Sequence, residues 1–259
     1  MTYRLAAMGA VLLCAVSSAD AMIDNAKLVD LTYPLDEHTV FWPTNKPFRW
    51  TESAWGRTAG GYWYASGEFS MSEHGGTHID APIHFAEGRL AVDEIPLTQL
   101  VAPAVVIDVR QSVAGDRDYR LTLQDIERWE QRHGPIAPGS IVLMWSGWGQ
   151  HWPDPKRYLG SETPGDATTL HFPGFSQEAA KFLTAKRQVA GIGVDTASID
   201  YGQSADFIVH QVINGANRYG LENVAHLDAL PPRGATLIAL PIKIKRGTGG
   251  PVRIIAVLP

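Results

Sequence analysis

Four side chains of metal-ligand type lie within eleven residues: His74, His78, Asp80 and His84. All four are even-numbered, so an extended chain directs them to one face, whereas a helix would spread them around its axis. The two glycines and the proline inside this stretch also disfavour a helix. The spacing therefore predicts an extended, ligand-bearing segment.

His74 and His78 must be brought together by a bend. Residues four apart on a strand are about 13 Å apart, too far for two side chains that must each lie within ~2.1 Å of one ion. Gly75-Gly76 is where the chain can bend at low steric cost. Two imidazoles and the Asp80 carboxylate, with other positions open to water, are typical of a catalytic site for Zn²⁺ or Mn²⁺. A structural metal and a polar strand with ordinary hydrogen bonds are the alternatives.

A site of this kind supplies hydrolytic chemistry. A bound divalent ion lowers the pKa of its water to about 7 and polarises a substrate carbonyl. We predict that His84 is catalytic: an imidazole with an unperturbed pKa of ~6.5 can accept a proton from water and return it to a leaving group. The competing interpretation is that His84 orients a metal ligand.

The composition excludes other classes of protein. Of the 259 residues, 45% are hydrophobic and 19% are charged, which is too apolar for a disordered chain and sufficient for a full core. The net charge of −5 shows no excess of the basic residues that nucleic-acid binding requires. The single cysteine, Cys14, excludes an internal disulfide and a zinc site built on two thiolates.

Residues 1–21 are predicted to be a secretory signal peptide. One basic residue precedes an apolar run of about 12 residues, well short of the ~20 needed to span a bilayer. Ala19 and Ala21 form a small-x-small cleavage site. We expect a secreted or periplasmic mature protein without membrane association, in which Cys14 has been removed. One alternative is a buried N-terminal helix. A lipoprotein anchor at Cys14 is less favoured, because Leu13 is bulky where such sites have a small residue.

The elements that must position the site are mostly short strands. Runs rich in β-branched residues predict strands at 28–33, 101–110, 141–145, 189–194, 235–244 and 252–257. Thr122 and Ser176 are predicted to cap helices over 123–132 and 177–186, and a third helix is predicted to begin near Asp206 or Phe207. Segment 146–174 has no clear period and is predicted to be a long loop. The pattern indicates the α/β class, with residues 22–259 as one domain.

The segment HGGTHIDAPIHF, residues 74–85, closely resembles the H-x-G-T-H-x-D-x-P-x-H-F signature of the metal-dependent cyclase-like hydrolases, which include kynurenine formamidases and isatin hydrolases. Residues 28–35 resemble the opening strand of that family. GIGVDTASID, residues 191–200, resembles its G-x-D-x-x-S-x-D segment. His210 and Glu222 resemble its late histidine and glutamate.

The resemblance implies a swivelling β/β/α fold in a single domain, with a mixed β-sheet and flanking helices, and a homodimer or higher homo-oligomer. It implies that His74, His78 and Asp80 hold a first metal ion. In formamidase-like members, Asp80 together with His210 and Glu222 would hold a second ion. Isatin-hydrolase-like members imply a single manganese, so one ion and two ions both remain open.

Substrate contacts are predicted near the motif. Aromatic residues are concentrated between positions 41 and 64, and flat rings clamp aromatic substrates by stacking. Trp63 is the first choice for a substrate contact, and Phe41 is also a candidate. Core or subunit interface is the alternative role for these rings. Gln211, next to His210, is either an alternative ligand or a substrate contact.

These features predict a metal-dependent hydrolase that opens a carbon–nitrogen bond in a small aryl substrate, either a lactam such as isatin or an N-formyl amine. The aromatic run at Phe41-Trp42 and the expected export favour the isatin-hydrolase type. A lactonase or dehydratase on the same metal site is one alternative. An exported protein that binds a metal or a carboxylate ligand without turnover is another.

Overall fold

The computed structural model describes residues 24–163 and 165–259. The strands within them are β1 (Leu28–Asp30), β2 (Arg49–Arg57), β3 (Trp63–Ser70), β4 (His78–Asp80), β5 (Val101–Asp108), β6 (Arg120–Leu121), β7 (Ile141–Trp145), β8 (Gly174–Phe175), β9 (Gly191–Val194), β10 (Tyr219–Glu222), β11 (Arg233–Pro241) and β12 (Gly249–Val257). The α-helices are α1 (Leu97–Leu100), α2 (Arg110–Val113), α3 (Leu123–His133), α4 (Pro155–Leu159), α5 (Gln177–Ala185) and α6 (Ile208–Gly215). Short 3₁₀ turns cover Asn25–Lys27, Pro82–His84, Val92–Glu94, Trp148–His151 and Leu227–Ala229. The expected signal peptide, residues 1–21, and Cys14 lie outside the described residues.

Eight strands form one mixed sheet in the order β1-β12-β11-β5-β7-β9-β10-β4. The middle strands β5, β7, β9 and β10 run parallel, and their neighbours are antiparallel. β12 closes the sheet, because Gly249–Pro251 pairs with β4 while the last residues of β12 pair with β1. The result is a barrel-like arrangement in which β4 lies at the closure.

The two faces of the strands supply two apolar cores. Successive side chains on a strand point to opposite faces. In β5, Ala104 and Val106 join the core inside the barrel. Val105 and Ile107 join a second core, between the barrel and helices α3, α5 and α6. Because each face of these strands packs into a core, the central strands are apolar on both faces.

The helices begin where the sequence predicts. The Thr122 side chain accepts a hydrogen bond from the Asp125 amide at the start of α3, and the Ser176 side chain accepts one from Ala179 at the start of α5. Helix α6 follows directly after Phe207. Among its described residues, the predicted loop 146–174 contains one 3₁₀ turn and the short helix α4, and is otherwise mostly irregular. The predicted α/β fold, with a mixed sheet and flanking helices, is confirmed.

Strands β2 and β3 stand apart from the barrel. They pair only with each other, as an antiparallel two-stranded sheet, within the residues that the structure describes. Among the described residues, every helix is too short or too polar to cross a bilayer.

Candidate metal centre

The histidine-rich segment changes direction at the predicted place. Only His78–Asp80 is extended, as β4, while His74 lies before a turn in which Gly76 has φ +59°. A left-handed φ is accessible to glycine without steric cost. The turn lets His74 approach the same point as His78 and Asp80, as the spacing argument requires.

The neighbouring strand brings Glu222 to the same place. β10 pairs antiparallel with β4, so that Glu222 lies opposite His78 and Gly220 lies opposite Asp80. A Cβ at Gly220 would be 3.3 Å from Asp80 Oδ2, and glycine leaves that space to the carboxylate. Helix α6, which precedes β10, presents the buried side chain of His210.

Asp80 is shared by two clusters of potential ligands, His74–His78–Asp80 and Asp80–His210–Glu222. Its Oδ1 lies 2.6 Å from His74 Nδ1 and 3.3 Å from His78 Nε2. Its Oδ2 lies 3.2 Å from His210 Nε2, which is also 3.2 Å from Glu222 Oε1. The five predicted ligands therefore converge, although 148 residues separate the first from the last.

Each histidine has its second ring nitrogen held by a partner outside the cluster. His74 Nε2 lies 2.9 Å from the Thr248 hydroxyl. His78 Nδ1 lies 2.9 Å from the carbonyl of Gly76, to which it donates. Partners of this kind fix the tautomer and the ring orientation of metal-binding histidines.

His210 has the strongest of these partners. Its Nδ1 lies 2.7 Å from Asp200 Oδ2, and Asp200 also accepts hydrogen bonds from the backbone amides of Val209 and His210. Ser204 Oγ donates to the other oxygen of the carboxylate. Asp200 thus secures both the start of α6 and the imidazole that α6 presents.

The donor set fits a divalent metal ion. His78 Nε2 is buried and has no hydrogen-bond partner among the described residues, as expected for a nitrogen reserved for a metal. Burial lowers the pKa of His78, but Asp80 and Glu222 outweigh it and raise the pKa to about 9. Burial and the charge of Asp80 raise the pKa of Glu222. Both shifts favour the protonated form of the group, so the site favours added positive charge between its carboxylates, which a bound cation would provide.

A cavity of about 190 Å³ opens beside these ligands. Its walls include four aromatic side chains: Phe41, Trp42, Phe85 and Phe207. His84 also lines it, with its ring stacked on His74 at 3.8 Å between centroids. Burial lowers the pKa of His84 to about 3, so its imidazole is neutral at pH 7.

Two predicted substrate contacts lie away from this cavity. Trp63 is on β3 and 60% exposed. Gln211 is exposed, and its Nε2 donates to the carbonyl of Asp206 at 2.6 Å. Because Gln211 follows His210 by one residue, the helix turns its side chain about 100° away from the ligands. Of the three predicted contacts, the structure places only Phe41 at the cavity.

Sequence reasoning gave no catalytic role to several residues that complete the site. Asp200 belongs to the GIGVDTASID segment, so a signal was present, but its contact with His210 depends on tertiary structure. Thr248 is 174 residues from His74 and has no local signal. Phe85 and Phe207 flank the His210 ring, at 4.6 and 6.1 Å between centroids. The motif includes the first of these two rings, but only the fold shows that they meet.

A larger open groove of about 840 Å³ is lined by residues 145–152 together with Asp195 and His226. Asp195, at its edge, accepts hydrogen bonds from the backbone amides of Ser146, Gly147 and Trp148. Burial raises the pKa of Asp195. Through these contacts, Asp195 holds the loop that follows β7 in place.

Comparisons with known proteins agree with this geometry. A family model described as a putative cyclase matches residues 29–201. An isatin hydrolase of Roseibium aggregatum is 37% identical over 197 residues, covering 73% of each chain. A kynurenine formamidase of Salinibacter ruber is 29% identical over 230 residues, covering 88% of this chain and 96% of the relative.

Solved structures show the similarity over about nine-tenths of the chain. Isatin hydrolase A from Ralstonia solanacearum superposes with a TM-score of 0.82 and 38% identity, covering 90% of this chain and 92% of the other. An isatin hydrolase bound to the product analogue thioisatinate superposes with a TM-score of 0.82 and 32% identity, covering 90% of this chain and 92% of the other. The family match spans most of the sequence and the structural match spans nearly all of the fold, so the chain belongs to the putative cyclase family.

Proposed function

We propose that this protein is a metal-dependent hydrolase that opens the carbon–nitrogen bond of a small aromatic lactam or amide. The observation that carries the proposal is the convergence of His74, His78 and Asp80 beside an aromatic cavity that also contains His84. Similarity to isatin hydrolases and kynurenine formamidases supports the same reaction class.

The residues divide the chemistry among them. His74, His78 and Asp80 would hold a divalent ion, which when bound lowers the pKa of a water molecule and polarises a carbonyl. The neutral imidazole of His84 accepts the proton of the attacking water and returns it to the leaving nitrogen. The aromatic walls exclude bulk water and stack on a planar substrate.

The role of the second cluster follows from its position. His210 approaches Asp80 Oδ2, whereas His74 approaches Oδ1, and Glu222 lies beside His210. His210 and Glu222 complete a second metal site if two ions bind. With one ion they form a buried hydrogen-bonded pair that positions Asp80. Metal stoichiometry separates the two arrangements.

An isatin-like lactam is the preferred substrate, and Mn²⁺ or Zn²⁺ the preferred ion. The isatin hydrolase relative is more similar than the kynurenine formamidase relatives, and the cavity walls are largely aromatic. Nitrogen and oxygen ligands suit either ion. We further propose a secreted or periplasmic location, based on residues 1–21, and a homodimer or higher homo-oligomer.

The test is turnover by protein stripped with EDTA and reloaded with Mn²⁺ or Zn²⁺. Isatin and N-formylkynurenine are assayed, together with aryl lactones. His78→Ala is expected to abolish both metal retention and turnover. His38→Ala, which alters an exposed histidine, is the matched control and should behave as the wild type.

Three outcomes would contradict the proposal. Turnover that is equal with and without EDTA would rule out a role for the metal. Retention of metal without turnover of any amide, lactam or lactone would favour the alternative, a metal-binding or carboxylate-binding protein without catalysis. Turnover of lactones alone would assign the site to a lactonase.

A further inference from the structure

Two buried polar side-chain atoms in the wall of the aromatic cavity have no hydrogen-bond partner among the described residues: His78 Nε2 and Asn223 Oδ1. The first is the nitrogen available to a metal ion. The second is an oxygen on the residue that follows Glu222. Burying an acceptor without a partner costs free energy. The Asn223 oxygen therefore needs a donor that the surrounding residues do not supply.

The orientation of the Asn223 amide is determined by its neighbours. Its Nδ2 donates to the carbonyl of Gly76 at 2.7 Å, and His78 Nδ1 donates to the same carbonyl at 2.9 Å. A carbonyl oxygen has two lone pairs, and both are used here. Turning the amide over would place Oδ1 against the Gly76 oxygen, where both atoms are acceptors. Oδ1 is thus the end of the amide that remains available to a ligand.

The backbone holds Asn223 in one position. Its φ is +54°, in the left-handed region that asparagine adopts more readily than most residues. Its N–H donates to the carbonyl of Thr196 at 2.9 Å, and its carbonyl accepts from the Thr77 hydroxyl at 2.7 Å. The residue is only 3% exposed. A side chain fixed in this way can accept a hydrogen bond without a further ordering cost.

Asn223 also adjoins the metal ligands. Glu222 lies opposite His78 in the pairing of β10 with β4, and Asn223 is the next residue along the chain. In a lactam or an anilide, the N–H group is bonded to the carbonyl carbon that water attacks. When a metal ion holds that carbonyl, the N–H group lies close to the ligands, which is where an acceptor is useful.

We propose that Asn223 Oδ1 accepts the N–H of the substrate, and so restricts this site to aryl lactams and amides whose nitrogen carries a hydrogen. This inference rests on the proposed hydrolase function and specifies its substrate class. A lactone presents an oxygen at this position and an N-substituted lactam presents a carbon, so either would leave Oδ1 buried and unpaired. A site that hydrogen-bonds a substrate N–H rejects analogues that lack it.

The contact is compatible with the proton transfers of hydrolysis. As the carbon–nitrogen bond breaks, its electron pair stays on nitrogen and takes the proton that His84 accepted from water. The nitrogen keeps its original hydrogen throughout, so the hydrogen bond to Asn223 persists from substrate to product. The products are a carboxylate and a primary amine. Asn223 therefore contacts the substrate without exchanging a proton with it.

The test is the binding of two matched probes to the metal-loaded protein, measured by calorimetry. Indolin-2-one carries the lactam N–H, and indan-2-one has the same bicyclic shape with a CH₂ group in its place. The wild type is expected to bind indolin-2-one about 10–100-fold more tightly, because indan-2-one leaves a buried acceptor unpaired. Asn223→Gly tolerates the left-handed backbone and removes Oδ1, so it should bind the two probes equally.

Asn217→Gly is the matched control. Asn217 is another asparagine with a left-handed φ, +57°, and it lies outside the cavity wall. Its Oδ1 accepts from the amide of Leu90. This variant should keep the wild-type preference. A general loss of structure would weaken the binding of both probes, whereas loss of the Asn223 oxygen weakens only the binding of the probe with the N–H group.

Two results would overturn the inference: a wild type that binds the two probes equally, and an Asn223→Gly protein that keeps the wild-type preference. The first result needs no variant. The hydrolase proposal is judged by turnover of isatin, whereas this inference is judged by affinity. A preference for indolin-2-one in a protein without turnover would uphold the acceptor and reject the hydrolase.

Discussion

Asp200 holds the imidazole of His210 in one orientation, and replacing Asp200 by asparagine tests whether His210 is a metal ligand. Asp200 is buried, and its Oδ2 lies 2.7 Å from His210 Nδ1. A carboxylate only accepts hydrogen bonds, so Nδ1 keeps its proton and Nε2 presents its lone pair toward Asp80 and Glu222.

Asparagine cannot reproduce this pattern. Asp200 accepts from the backbone amides of Val209 and His210, from Ser204 and from the His210 ring, whereas an amide group has one accepting and one donating end. With the amide nitrogen toward Nδ1, His210 changes tautomer and its Nε2–H faces the site. Losing such an outer carboxylate reduces metal affinity about 10–100-fold, or about 1.4–2.7 kcal/mol.

The assay is calorimetric titration of the EDTA-stripped Asp200→Asn protein with Mn²⁺ and with Zn²⁺. If His210 and Glu222 hold a second ion, the substitution should weaken binding of the second equivalent of metal. If they support a single ion, it should weaken binding of the first equivalent. Ser204→Ala is the control, because it removes a hydroxyl 3.2 Å from the same carboxylate without changing the Nδ1 contact. A folded Asp200→Asn protein that binds every equivalent with wild-type affinity would refute the assignment of His210.

Three further outcomes are expected. His84→Ala should retain its metal, measured by elemental analysis, and lose about 10²–10⁴-fold in kcat; full activity would exclude proton transfer by His84. Gly75→Ala places a Cβ in the Phe41 ring, so KM should rise about tenfold while metal content is unchanged, and an unchanged KM would remove Phe41 from the substrate site. Hydrogen bonds from Arg187 lower the pKa of Glu130, so this contact stabilises the fold at pH 7 and ceases to do so as pH falls through that lowered pKa. Glu130→Gln should therefore cost about 1 kcal/mol in thermal unfolding at neutral pH and progressively less as the pH falls below the ordinary pKa of a glutamate, about 4.3; a loss that does not change with pH would contradict the charge argument.

The local parts of the fold and site could be predicted from the sequence, because their signals are local. The caps Thr122 and Ser176 fix where α3 and α5 begin, and β7 coincides with the predicted strand. The bend before His78 followed from strand geometry alone. The approach of Glu222 to His78 depends on the pairing of β10 with β4, and its only sequence signal was a family resemblance.

Predictions from residue type alone were less specific where tertiary structure decides the outcome. Aromatic rings near the motif suggested a substrate pocket, yet Phe41 reaches the cavity while Trp63 lies on a separate hairpin. Gln211 adjoins a ligand in sequence but points away from it, because neighbours on a helix differ by about 100°. Proximity along the chain therefore indicated the right region without selecting the residues within it.

The three residues of β4 show how a buried strand can carry a polar site. Ile79 belongs to the core inside the barrel, while His78 and Asp80 face outward toward α6 and the end of β10. β10 on one side and β12 on the other satisfy the backbone of this short strand, so its two ligands are held without a longer element. Because β4 pairs with both β10 and β12, the loss of one pairing would leave the other to hold the strand and its two ligands. The alternation of polar and apolar residues in His78-Ile79-Asp80 thus serves the fold on one face and the proposed chemistry on the other.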